Sequence, residues 1–170
     1  MALSFLTSSE QTIDVVVTCD PAVTCDSDQR SQYLENGLLS ELDQVGTDAT
    51  IFTIKALSPQ EREQAEIKAG AMVRSELGRL LWSESPDDEE ENARWHHQLS
   101  NDEREALSQY RRYLGSVYDE MVRAALVSID GEEATLDQLQ LIRPESHRVQ
   151  TISELVLHIQ RISLLGIEGK

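Results

Sequence analysis

The N-terminal third alternates. Over 12–19, Ile13, Val15, Val17 and Cys19 alternate with Asp14, Val16 and Thr18, and the β-branched residues predict a half-buried strand. Asp20-Pro21 ends it, and the Asp, Ser, Thr and Pro residues of 20–30 read as a loop. Asp26 and Asp28 offer N-caps for a short helix reaching Val45, with Tyr33, Leu34, Leu38, Leu39 and Leu42 on its apolar face; Asn36-Gly37 interrupts it. A second strand is predicted over 49–57, with Phe52 and Ile54 on one face and Ile51, Thr53 and Lys55 on the other.

The period then changes to that of a helix. Ser58-Pro59-Gln60-Glu61 is a capping box with proline at the first helical position. It opens a helix over 59–82 along Ala65, Ala69, Met72, Val73, Leu77, Leu80 and Leu81, weakened at Gly70 and Gly78. Pro86 and its acidic neighbours mark an acidic loop over 84–92, and a short helix is predicted over 89–99. Ser100-Asn101-Asp102-Glu103 opens a long helix to about Val127, where Leu107, Tyr110, Leu114, Val117, Met121 and Ala124 form a narrow seam. Asp130-Gly131 is a turn, and 135–142 is a helical turn or a strand. Thr151-Ile152-Ser153-Glu154 reads as a third capping box, opening a last helix that Gly166 ends. Its seam is Ile152, Leu155, Ile159 and Ile162, widened by Val156, Leu157 and Leu164.

These elements predict an α+β fold, mostly α: an N-terminal two-stranded β element followed by a helical bundle. One domain over 1–170 is expected, strand-rich over 1–57 and helical over 58–170. Two strands alone are marginal, so they must rest on the helices or be completed from another molecule. A terminal helix apolar on more than one side often docks, onto its own core or onto another chain. The partner-binding residues expected on these grounds are Ile152, Leu155, Val156, Ile159 and Ile162, with Phe52 and Ile54.

Charge narrows the function. The formal net charge of -16 argues against nucleic acid and against an anionic membrane, since both need clustered Lys and Arg; it favours a partner with a basic face. Residues 1–10 show neither a basic segment nor a long apolar run, so no secretory signal and no bilayer span is expected, and a reducing cytoplasm is the natural setting.

Candidate chemistry is sparse. No nucleophile elbow, phosphate-cradling loop or dinucleotide fingerprint is present, so no enzyme and no cofactor is expected. His96-His97 is the most tempting pair, but adjacent helical residues point about 100° apart, and a zinc helix would set its histidines four apart. Cys19 and Cys25 are too few for a structural zinc site, and Cys19 reads as a packed thiol. Asp87-Asp88-Glu89 lacks the spacing of an EF-hand loop. His147 and His158 read as surface or satisfied core histidines, with His158 opposite the apolar seam.

Two phrases carry a family resemblance. Phe52-Thr53-Ile54-Lys55-Ala56-Leu57-Ser58-Pro59-Gln60-Glu61 is similar to the strand and following Glu-rich helix of bacteriophage tail assembly chaperones. Ile142-Arg143-Pro144, followed by a helix with Ile159-Gln160-Arg161-Ile162-Ser163, resembles the C-terminal end of such chains. The resemblance implies a non-enzymatic factor of phage tail or virion assembly that binds tail-tube and tape-measure proteins in the host cytoplasm. The alternative is a structural subunit of the particle in capsid, neck, tail or baseplate, which would contact neighbouring subunits, form homo-oligomers and reside in the virion.

Overall fold

In this computed structural model, residues 12–70 and 76–168 are described, with side chains through 164. Met72 and Val73 of the predicted helix, and the segment read for a secretory signal, lie outside the described residues. The fold is α+β and mostly helical, with small antiparallel sheets. The strands are spread along the chain and are not confined to its N-terminal part.

The chain divides into two compact units. One joins Met1–Gln64 to Tyr118–Lys170, and the other is Ala65–Val117.

In the first unit β1 (Thr12–Val15), β4 (Phe52–Lys55), β5 (Leu126–Ile129) and β6 (Glu132–Glu133) form one antiparallel sheet in the order β1-β4-β5-β6. β2 (Val23–Thr24) and β3 (Gln44–Val45) pair separately. Val15 pairs with Phe52 and Ile13 with Ile54; Phe52 pairs in turn with Ile129. The expectation of a two-stranded element is corrected by β5 and β6. The long helix is expected to reach about Val127, but Leu126, Val127 and Ile129 have the β-branched and apolar character of a strand, and β4 offers them a ladder from Leu126 onward.

α1 (Ser27–Asn36) starts at Asp26, whose carboxylate accepts from the Asp28 and Gln29 amides, and stops at Gly37 in the left-handed region. A side chain at Gly37 would also run into the Arg161 guanidinium. The predicted continuation to Val45 is therefore a 3-10 turn (Leu39–Glu41) and then β3. The capping box before α2 (Pro59–Ala69) is formed as predicted: the Ser58 amide donates to Glu61 at 2.8 Å and the Glu61 amide to Ser58 Oγ at 3.2 Å.

α6 (Leu136–Leu139) is one turn, and α7 (Glu145–Glu168) is the main helix of this unit. It begins six residues before the predicted capping box and runs past Gly166, since Pro144 suits a helix start and its carbonyl accepts from the His147 and Arg148 amides. Thr151 and Glu154 thus lie inside the helix and face the core. α7 packs on β4 and on α1. The core contains Val15, Phe52, Ile54, Leu57, Val122, Leu155 and Ile159. A second cluster of Val16, Val23, Tyr33, Leu42 and Ala49 fills the space by α1.

The second unit holds α3 (Glu76–Glu84), α4 (Glu89–Gln98) and the N-terminal part of α5 (Asn101–Ala125). Its core cluster is Leu81, Leu99 and Leu107, with half-buried Trp95 against it. Gly78 lets α3 approach α5, because a Cβ there would meet the Ala106 carbonyl. The acidic run is put to structural use. Asp88 caps α4 through the Glu91 amide, and Glu89, Glu90 and Glu91 occupy the first turn, where the helix dipole favours carboxylates. Among the described residues no helix is long and apolar enough to cross a membrane.

Candidate partner-binding cleft

The expected docking residues lie in the core of the chain itself. Phe52, Ile54, Ile152, Leu155, Val156 and Ile159 are all buried, and Ile162 is half-buried. A partner cannot reach Ile54, Ile152, Leu155, Val156 or Ile159 while the sheet and α7 stay packed. The two apolar regions singled out in the sequence cover each other.

The polar residues of α7 are where the local physics is unusual. Glu154 is 1% exposed, yet it is fully partnered. Its carboxylate accepts from the Thr18 amide at 2.7 Å, the Thr18 hydroxyl at 2.6 Å, Gln150 at 2.9 Å and Arg30 Nη2 at 2.9 Å. Burial pushes its pKa up, but the donors on Thr18, Gln150 and Arg30 outweigh it, so the net shift is down and the group stays charged. This carboxylate ties the chain just after β1 to α1 and α7. Tyr33 does the same work beside it: its hydroxyl accepts from the Val16 amide and donates to the Val16 carbonyl, each at 3.0 Å. Both backbone groups of Val16 are thereby satisfied by a side chain, which closes that stretch to strand addition.

His158, one turn after Glu154, is also fully buried, and neither ring nitrogen has a hydrogen-bond partner. Its ring lies 4.9 Å from the Tyr33 ring. Burial first, and then the Arg161 charge, lower its pKa to about 4, so it is held neutral. The sequence reading that placed His158 opposite the apolar seam is corrected. The buried arc of α7 is wide enough to include Glu154 and His158 along with Leu155 and Ile159.

Beside this network the first unit opens a cleft of about 680 Å³. Val17, Phe52, Leu139 and Ile142 give it apolar walls; Asp130, Glu132, Gln138, Arg143 and His147 are among its polar lining residues. The walls are held by specific bonds. Asp20 accepts from the Ala22 and Thr50 amides, each at 2.9 Å. Asp130, in a left-handed conformation, accepts from the Ile51 amide at 2.8 Å. Arg143 donates to the Gln140 and Ile142 carbonyls.

Cys19 lines the cleft as well. Its sulfur lies 3.4 Å from Thr151 Oγ1 and 3.7 Å from the His147 carbonyl, which is a backbone contact and not one with the imidazole. Burial raises the thiol's pKa more than the Thr151 hydrogen bond lowers it, and the Glu154 charge adds to the rise. A thiol so placed stays protonated at neutral pH and is a poor nucleophile. Cys25 packs beside Tyr33 and Val23, and both thiols are free.

In the second unit His96 and His97 diverge. His96 Nε2 is 2.8 Å from Arg111 Nη2. Arginine can only donate, so this nitrogen accepts and His96 carries its proton on Nδ1. Slight burial and then the Arg111 charge lower its pKa, consistent with the neutral form. Arg111 also stacks 5.6 Å from the centre of the Trp82 ring. Among the described residues, no three His, Cys, Asp or Glu side chains converge as a metal site requires.

The cleft was missed in the sequence because its parts come from four separated stretches: 17–21, 50–52, 129–143 and 147–151. One signal was present. Phe52 belongs to the first phrase of the family resemblance, and Ile142 and Arg143 belong to the second. No protein-family model, curated protein or solved structure matches this chain.

Proposed function

We propose that the chain is a non-enzymatic protein-binding factor of phage tail or virion assembly, and that its cleft receives a segment of another particle protein. The observation that carries this reading is the cleft itself. It falls within the usual size range of ligand pockets, has apolar walls with a few polar groups, and has a protonated thiol where a catalytic site would need an activated one. Phe52 of one phrase that resembles tail assembly chaperones, and Ile142 and Arg143 of the other, line it, which supports the reading.

Asp130 and Glu132, in a chain of net charge -16, favour an apolar side chain flanked by Lys or Arg. Tail-tube and tape-measure proteins are the partners to test, with the host cytoplasm as the place of binding. Co-expression of the chain with each of them should give a complex that survives purification. Reversing charge at the rim with Glu132→Lys should weaken it without changing the melting temperature. If neither protein forms a complex, the chaperone version of this reading fails.

Exposed Leu157 and Leu164 on α7 favour a second reading, that of a structural subunit contacting its neighbours in the particle. Mass spectrometry of purified particles separates the two. A chaperone is absent or scarce there, and a structural subunit is present in many copies.

A further inference from the structure

The outer side of α7 carries a pattern of its own. Val149, Ser153, Leu157, Gln160 and Leu164 fall within about 80° of one another around the helix axis and span about 22 Å of its length. Val149, Leu157 and Leu164 are exposed, at 53%, 45% and 48%. No residue of this strip is charged. Between Glu145 and Glu168 the only acid on α7 is Glu154, which is buried and paired with Arg30, although the chain as a whole carries 31 acidic residues.

We propose that this strip is a contact between two copies of the chain, packed antiparallel about a two-fold axis. Charge selects that occupant. Two copies at -16 each repel wherever their acidic faces meet, so self-association is confined to a face without carboxylates. A foreign partner drawn by the charge of this chain would seek the carboxylates instead.

The spacing agrees. Ser153, Leu157, Gln160 and Leu164 step by four, three and four, the a/d spacing of paired helices. With the axis between Leu157 and Gln160, Leu164 of each copy lies over Ser153 of the other, large against small, and Leu157 lies beside Gln160 of the other. Such an interface is isologous, as a closed dimer requires. One helix strip buries less than the roughly 800 Å² per partner of a standard interface, so the dimer is weak, with a dissociation constant above about 1 µM.

Sedimentation equilibrium of the purified chain from micromolar to near-millimolar concentration tests it. The apparent mass should rise from 19.1 kDa towards twice that value. Leu157→Glu combined with Leu164→Glu, at positions already in solvent, should keep the native melting temperature and hold the mass at 19.1 kDa throughout. Should that variant lose its fold, Gln160→Glu alone puts like charges near the axis and must weaken association severalfold. A natural chain that stays monomeric over the whole range, or a charged variant that dimerises like it, overturns the proposal.

Discussion

α5 and α7 are of nearly equal length, 25 and 24 residues, and both carry seams that step by three and four. They serve the fold differently. α5 divides its seam between the two units: Leu107 belongs to the leucine cluster of the second, while Met121, Val122 and Ala125 are buried in the first. Its outer surface is charged and laced with pairs such as Arg112–Glu105. α7 stays in one unit and is buried over more than half its circumference, and its buried arc takes in Thr151, Glu154, His158 and Ser163. A seam of apolar residues therefore identifies a face that is covered, and it does not identify what covers it. The polar residues beside the seam carry that further information.

The largest effect expected from this comparison is on packing. Ile159→Ala, at a fully buried site, should cost about 2 to 5 kcal/mol in chemical denaturation, while Leu114→Ala, at a half-buried site on α5, should cost about 1 kcal/mol. Equal losses at the two positions would mean that the seams are covered alike.

Next in size is the acid response of α7. His158 titrates near 4 in the folded chain against an ordinary value of 6.5. Because the folded pKa is the lower one, the unfolded chain takes up the proton first. Stability should fall as pH drops below about 6.5 and level off near 4, a loss on the order of 3 kcal/mol from this residue. Glu154, whose pKa is also lowered on folding, adds a further loss as pH falls below its ordinary 4.5. Replacing His158 with leucine should flatten the decline above pH 4.5 while leaving the steeper part below it. An unchanged profile between pH 6.5 and 4.5 would show that His158 finds a partner or solvent.

A smaller effect should be confined to the second unit. Gly78→Ala places a methyl against the Ala106 carbonyl and should cost about 1 to 3 kcal/mol. Amide exchange should then quicken in α3 and α4 and hardly change in β4 or α7. Uniform quickening would mean that the two units unfold together.

How much of this was legible depended on how local the cause was. The caps at Asp26, Ser58 and Ser100 were readable because each is satisfied within four residues. The break at Gly37 was visible as an interruption, but the turn and strand after it depend on β3 meeting β2. β5 was read as more helix, because Leu126-Val127 continues an apolar run and only β4 reveals it as a strand. The box at 151–154 was misread because Thr151 and Glu154 do have capping chemistry. Their oxygens are used across the fold, by Cys19 in one case and by Thr18 and Arg30 in the other. The cleft was hidden for the same reason, since four distant stretches line it.

On the proposed reading the cleft, and not the packed faces of Ile54 and α7, receives the partner. Hydrogen exchange of the complex with a co-expressed tail protein, against the free chain, tests it most directly. Added protection is expected at 50–52, 129–132 and 138–143, with α3 and α4 unchanged. Protection limited to the second unit, or none around the cleft, would contradict it.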